Sequence, residues 1–168
     1  MARFGLRISA FFRISETRIS EFELNRNKQK LQVSCLRYLL LKQKSEMKTI
    51  AIIGASTDRS KFGNKAVRAF LQQGYEVFPV NPKEETVEGL VAFKSIRDVP
   101  VRPQMISVYL PPPVLLKVLP DIAARGCDEL WLNPGTESDE VIAEAERLKL
   151  NVIQACSIVG VGVSPGTL

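Results

Sequence analysis

Thr49-Ile50-Ala51-Ile52-Ile53 is a continuously apolar run, closed at once by Gly54. Without polar alternation, such a run fits a strand of a parallel sheet, buried on both faces. The chain then repeats the theme. Asn64 to Gln73 reads as a helix with Ala66, Val67, Phe70 and Leu71 on one face and Gly74 at its stop position. Tyr75 to Val80 is a second strand, and Pro79 there requires a place where a missing N–H costs no ladder bond. Met105 to Leu110 is a third strand. Val114 to Arg125 is a helix kinked or reset at Pro120 and closed by Gly126. Glu129 to Leu132 is a fourth strand, and Asn151 to Ala155 a fifth. Between them Ser138 caps a helix whose first turn holds Asp139 and Glu140. Strand and helix alternate with short connections, which predicts an α/β, Rossmann-like three-layer domain over residues 47–168. Its sheet is expected to be mainly parallel, with about five strands.

Composition narrows the chemistry. The 168 residues include no histidine. That removes Ser-His-Asp and Cys-His catalysis and histidine metal sites together. Cys35, Cys127 and Cys156 are widely separated and odd in number, which speaks against a disulfide scaffold or zinc ribbon and for a reducing, cytoplasmic setting. No apolar run approaches the ~20 residues of a membrane helix. The net charge of +5 is confined to one part of the chain. Residues 1–46 carry ten Lys and Arg against four Glu, whereas residues 47–168 carry thirteen basic against fourteen acidic side chains. The domain is therefore near-neutral, and a nucleic-acid partner is not expected. In residues 1–46, Arg-Ile-Ser recurs three times, and Lys30 to Lys44 has the spacing of one amphipathic helix. Glu16, Glu21 and Glu23 interrupt the acid-poor pattern of a transit peptide. This segment is expected to be an extension that the fold does not need, added by a start placed upstream of Met47.

Ligands of such sheets bind outside the carboxyl ends of the strands, so those ends carry the functional signal. After the first strand, Gly54, Ala55 and Ser56 offer small residues and open backbone N–H groups. A helix start and Arg59, Lys61 and Lys65 bring positive charge, which suits a phosphate. The same glycine would serve a plain turn. After the second strand, Val80-Asn81-Pro82-Lys83 lacks the acidic side chain that accepts from the ribose of NAD. An amide and a lysine fit a phosphorylated ribose, as in NADP or coenzyme A, although the same residues make an Asx-Pro turn without a ligand. After the third, Leu110-Pro111-Pro112-Pro113 is a stiff, apolar wall suited to a thin flexible arm, and equally a helix start. After the fourth, Asn133-Pro134-Gly135-Thr136 turns beside the same rim. Trp131 before it reads as packing.

Five segments carry a resemblance: 52–56 (Ile-Ile-Gly-Ala-Ser), 74–82 (Gly-Tyr-Glu-Val-Phe-Pro-Val-Asn-Pro), 108–113 (Val-Tyr-Leu-Pro-Pro-Pro), 126–132 (Gly-Cys-Asp-Glu-Leu-Trp-Leu) and 152–156 (Val-Ile-Gln-Ala-Cys). In this order they resemble the stand-alone CoA-binding proteins, which are similar to the amino-terminal domain of the succinyl-CoA ligase alpha subunit. The resemblance implies a Rossmann-like domain with coenzyme A as its ligand. It implies that Gly54, Ala55, Ser56 and Lys61 meet the phosphates, Val80, Asn81, Pro82 and Lys83 flank the adenosine, and Leu110, Pro111 and Pro112 flank the pantetheine. It implies no catalytic residue here, the ligase's histidine belonging to a second domain. Residues 157–163 depart from stand-alone members and read like the ligase-type ending. The expected function is binding of CoA or an acyl-CoA, as a monomer or homodimer. The alternatives are an NADP-dependent oxidoreductase, or a regulatory or partner subunit of an acyl-CoA enzyme.

Overall fold

The run Thr49–Ile53 forms β1, flanked on both sides by parallel strands. The structure is a computed structural model and describes residues 47–168. The helix expected within 30–44 and the extension reading of 1–46 lie outside the described residues. Five strands make one sheet: β1, β2 (Glu76–Val80), β5 (Met105–Val108), β6 (Glu129–Leu132) and β7 (Val152–Gln154). Their order is β2-β1-β5-β6-β7, and every neighbouring pair is parallel. A two-stranded antiparallel hairpin, β3 (Thr86–Val87) and β4 (Leu90–Val91), stands apart from it. The helices are α1 (Phe62–Gln72), α2 (Pro112–Arg125), α3 (Asp139–Arg147) and the single turn α4 (Ser157–Gly160).

The two faces of β1 explain the three layers. Side chains alternate along a strand, so Ile50 and Ile52 face one way and Ala51 and Ile53 the other. Ile50 and Ile52 join Val67, Phe70 and Ile158 in a buried cluster beneath α1 and α4. Ala51 and Ile53 join Leu115, Leu119, Ile122 and Val141 beneath α2 and α3. Both faces are dry, which is why the strand is apolar throughout. The Rossmann-like α/β fold is present as expected.

Pro79 satisfies the condition set for it. Its carbonyl accepts from Phe93 N–H on the side away from β1 (2.8 Å), and the N and C=O of one strand residue point the same way. The absent N–H thus faces the sheet edge and removes nothing from the β1 ladder. α2 runs unbroken through Pro120, which is exposed, so it is one helix and is not reset there. Its start also differs from expectation, because Pro112 and Pro113 take the first helical positions. α1 likewise starts two residues before Asn64, with Lys61 at its N-cap.

Candidate functional site

A parallel sheet puts all its strand carboxyl ends on one rim. From β1 the chain crosses outward to β2, then returns to place β5 on the other side of β1, so the strand order reverses between β1 and β5. A cavity of about 480 Å³ opens there, the position where doubly wound sheets hold ligands. The β1–α1 loop contributes Gly54 and Lys61, and the start of α1 contributes Phe62 and Gly63. The β5–α2 connection contributes Tyr109, Leu110 and Pro111. Residues 133–136, after β6, and Cys156, after β7, close the far side.

The β1–α1 loop is held before any ligand arrives. Gly54 has φ +88° and gives its N–H to Val80 O of β2 (2.9 Å). A Cβ at this position would stand 2.7 Å from the carbonyl oxygen of Tyr109. The neighbouring strand and the backbone angle already demand glycine here, before any ligand is considered. At Gly63 a Cβ would collide with the carbonyl of Gly54, so the start of α1 dovetails directly into the strand end. Asn64, buried on α1, donates through Nδ2 to Ser56 O (2.8 Å) and to Glu88 Oε1 (3.0 Å), tying loop and hairpin to the helix. Asn81 Nδ2 donates to Ala55 O (2.6 Å). Asp58 accepts from the side chain and backbone of Ser60. Those bonds hold its carboxyl below the usual range.

What this leaves open is a set of donors. The N–H groups of Ala55, Ser56, Phe62 and Gly63 meet no acceptor among the described residues. Phe62 and Gly63 open an eleven-residue helix whose N-cap makes no side-chain bond. That combination favours an anion. Of Arg59, Lys61 and Lys65, only Lys61 lines the cavity. Arg59 pairs with Glu88 (3.6 Å), and Lys65 donates to Pro165 O (2.8 Å) while lying over the Phe62 ring.

The expected residues divide accordingly. Gly54, Lys61, Leu110 and Pro111 line the cavity. Ala55 and Ser56 do not line it and are buried. Pro112 is the first residue of α2. Val80, Asn81, Pro82 and Lys83 lie at the end of β2 and do not line it. There Lys83 N–H donates to Asn81 Oδ1 (2.9 Å), forming the Asx turn that the sequence also allowed.

Beneath the cavity lies a polar floor. Asn133, buried, donates to Ser107 Oγ (2.9 Å) and Val108 O (2.8 Å) and accepts from Ser157 N–H (2.9 Å). Ser107 and Ser157 share a hydrogen bond of 2.7 Å, and the Tyr109 phenol is 3.0 Å from Ser157 Oγ. Burial raises the Tyr109 pKa, so the phenol keeps its proton. Sequence reasoning missed this network; its one local sign is Ser107, a polar residue in an otherwise apolar strand.

A sequence model described as a CoA binding domain matches residues 48–161. This chain belongs to that family. Among curated relatives of this CoA-binding domain is the alpha subunit of acetate–CoA ligase (ADP-forming) II of Pyrococcus furiosus. It is 33% identical over 78 residues, which make up 46% of this chain and 17% of that protein. The acetate–CoA ligase (ADP-forming) II of Archaeoglobus fulgidus is 30% identical over 109 residues, 62% of this chain and 16% of that protein. The chain thus spans under a fifth of these relatives. Solved structures of similar size also match. A conserved hypothetical protein of Pyrococcus furiosus superposes with TM-score 0.63 at 33% identity, covering 68% of this chain and 99% of its own. A Thermus thermophilus protein superposes with TM-score 0.63 at 30% identity, covering 73% and 93%.

Proposed function

We propose that the domain binds coenzyme A or an acyl-CoA at the reversal in strand order, as a binding module without a catalytic group of its own. The observation that carries this is the pairing, in one cavity, of an anion-accepting end and an uncharged arm. The open N–H groups of the β1–α1 loop and Lys61 receive the pyrophosphate. Leu110 and Pro111 then guide the pantetheine along the rim. Gly54, Ala55 and Ser56 shape the phosphate loop from below. Val80, Asn81, Pro82 and Lys83 take the adenosine, and Pro112 completes the arm's wall. Lys83 supports the assignment of a phosphorylated ribose, being exposed and without an ion pair among the described residues. The ligase relatives favour a role beside an acyl-CoA enzyme, as a regulatory or partner subunit.

Calorimetric titration with CoA, dephospho-CoA, NAD and NADP tests the reading. CoA is expected to bind most tightly, with dephospho-CoA weaker by about tenfold through loss of a charge-assisted contact. NADP binding more tightly than CoA would overturn it.

A further inference from the structure

Phe62 is the one exposed aromatic residue among the described residues, at 55%. The others are spent on the fold. Phe70 and Tyr75 meet edge to face, and Phe78 lies against Phe93. The Trp131 ring lies against Gly160, and Tyr109 is bonded to Ser157. A single exposed apolar residue is ordinary on a protein surface. This one, however, lines the cavity.

Its place in α1 decides where the ring goes. Phe62 is the first helical residue, and side chains of a helix lean toward its N-terminus, so the ring leans past the helix start. There the N–H groups of Phe62 and Gly63 meet no acceptor among the described residues. One contact steers the ring. Lys65, three residues on, holds its Nζ 5.7 Å from the ring centroid while donating to Pro165 O (2.8 Å). Two surfaces therefore adjoin at the start of α1: backbone donors for a phosphate and, beside them, an apolar ring.

Coenzyme A carries the matching order of groups. One methylene after its pyrophosphate comes a quaternary carbon with two methyl groups, and the first amide lies beyond these. A dinucleotide instead places a ribose with hydroxyls after the pyrophosphate, and a phenyl face gives hydroxyls no comparable partner. We infer that Phe62 is a specificity-determining residue, whose ring packs on the paired methyl groups that follow the pyrophosphate. This rests on the CoA reading above and names the group of the ligand that Phe62 recognises. Two methyl groups taken from water against the ring are worth about tenfold in affinity.

The test is a cycle of two ligands and two proteins. CoA and a CoA analogue lacking both pantoate methyl groups are titrated by calorimetry into the full chain and into Phe62→Ala. The full chain is expected to prefer CoA by about tenfold. Phe62→Ala is expected to reduce that gap to about threefold or less, by losing affinity for CoA and not for the analogue. Phe62→Leu, which keeps an apolar side chain, should retain most of the gap, and neither variant should shift the melting temperature, because the ring is exposed. Equal affinity of the full chain for the two ligands, or a gap that Phe62→Ala leaves unchanged, overturns the inference and leaves the CoA reading intact. An equal loss for both ligands in Phe62→Ala also overturns it, since the residue would then act through the phosphates. Failure of both ligands to bind the full chain overturns both.

Discussion

At the residue scale, the loop after β1 separates what glycine does for the fold from what charge does for a ligand. Gly54→Ala places a Cβ against Tyr109 O at a backbone angle that L-residues avoid. It is expected to destabilise by at least about 1 kcal/mol, seen as a lower melting temperature with or without CoA. Weaker binding by that variant would therefore say little about phosphate contacts. Lys61→Ala is the clean probe. The side chain is exposed and makes no ion pair among the described residues, so the melting temperature should not move. CoA affinity should fall by up to about tenfold, and the affinity of the variant should depend less on salt. An unchanged dissociation constant in calorimetry would remove Lys61 from the site.

At the scale of elements, the strands were legible because a strand dry on both faces must be apolar throughout, and β6 spans the expected residues, 129–132. Helix starts were less legible. Asn64 has the chemistry of an N-cap, but its amide is spent on Ser56 and Glu88, partners 8 and 24 residues away, and α1 starts at Phe62 instead. The β3–β4 hairpin escaped notice because two-residue strands show no alternation. Its turn, with Glu88 at φ +49° and Gly89 at φ +79°, is the paired left-handed kind that favours glycine second. The cavity's glycine, lysine and prolines were readable from their place after strands, but the Asn133 network was not, since its members meet only through the fold. Ser138 was readable, because a cap acts locally: its Oγ accepts from Val141 N–H (3.3 Å). Ser138→Ala is expected to cost about 1 kcal/mol in denaturant unfolding, with CoA affinity unchanged. A loss of affinity instead would mean that the start of α3 shapes the cavity.

At the scale of the molecule, among the described residues, the five strands of the main sheet, both buried clusters and the cavity lie within 49–168. A chain of residues 47–168 is accordingly expected to fold cooperatively and to bind CoA within about twofold of the full chain. Loss of solubility or of binding would assign residues 1–46 a part in the fold. Nearly neutral as it is, the shortened chain should also lose the affinity for cation-exchange resin that the net charge of +5 gives the full one.

Pro79 carries a consequence for how copies of this domain can meet. A sheet grows by adding strands to whichever edge offers unpaired N–H and C=O groups. At the β2 edge a proline lacks the donor, and Phe93 already occupies the acceptor beside it. Lateral growth, whether an ordered dimer with one continuous sheet or an aggregate of partly unfolded chains, is thereby steered to the opposite edge. There β7 offers only Val152–Gln154. A strand three residues long is a poor template, so both flanks of the sheet resist recruitment while the rim between them stays free for a ligand.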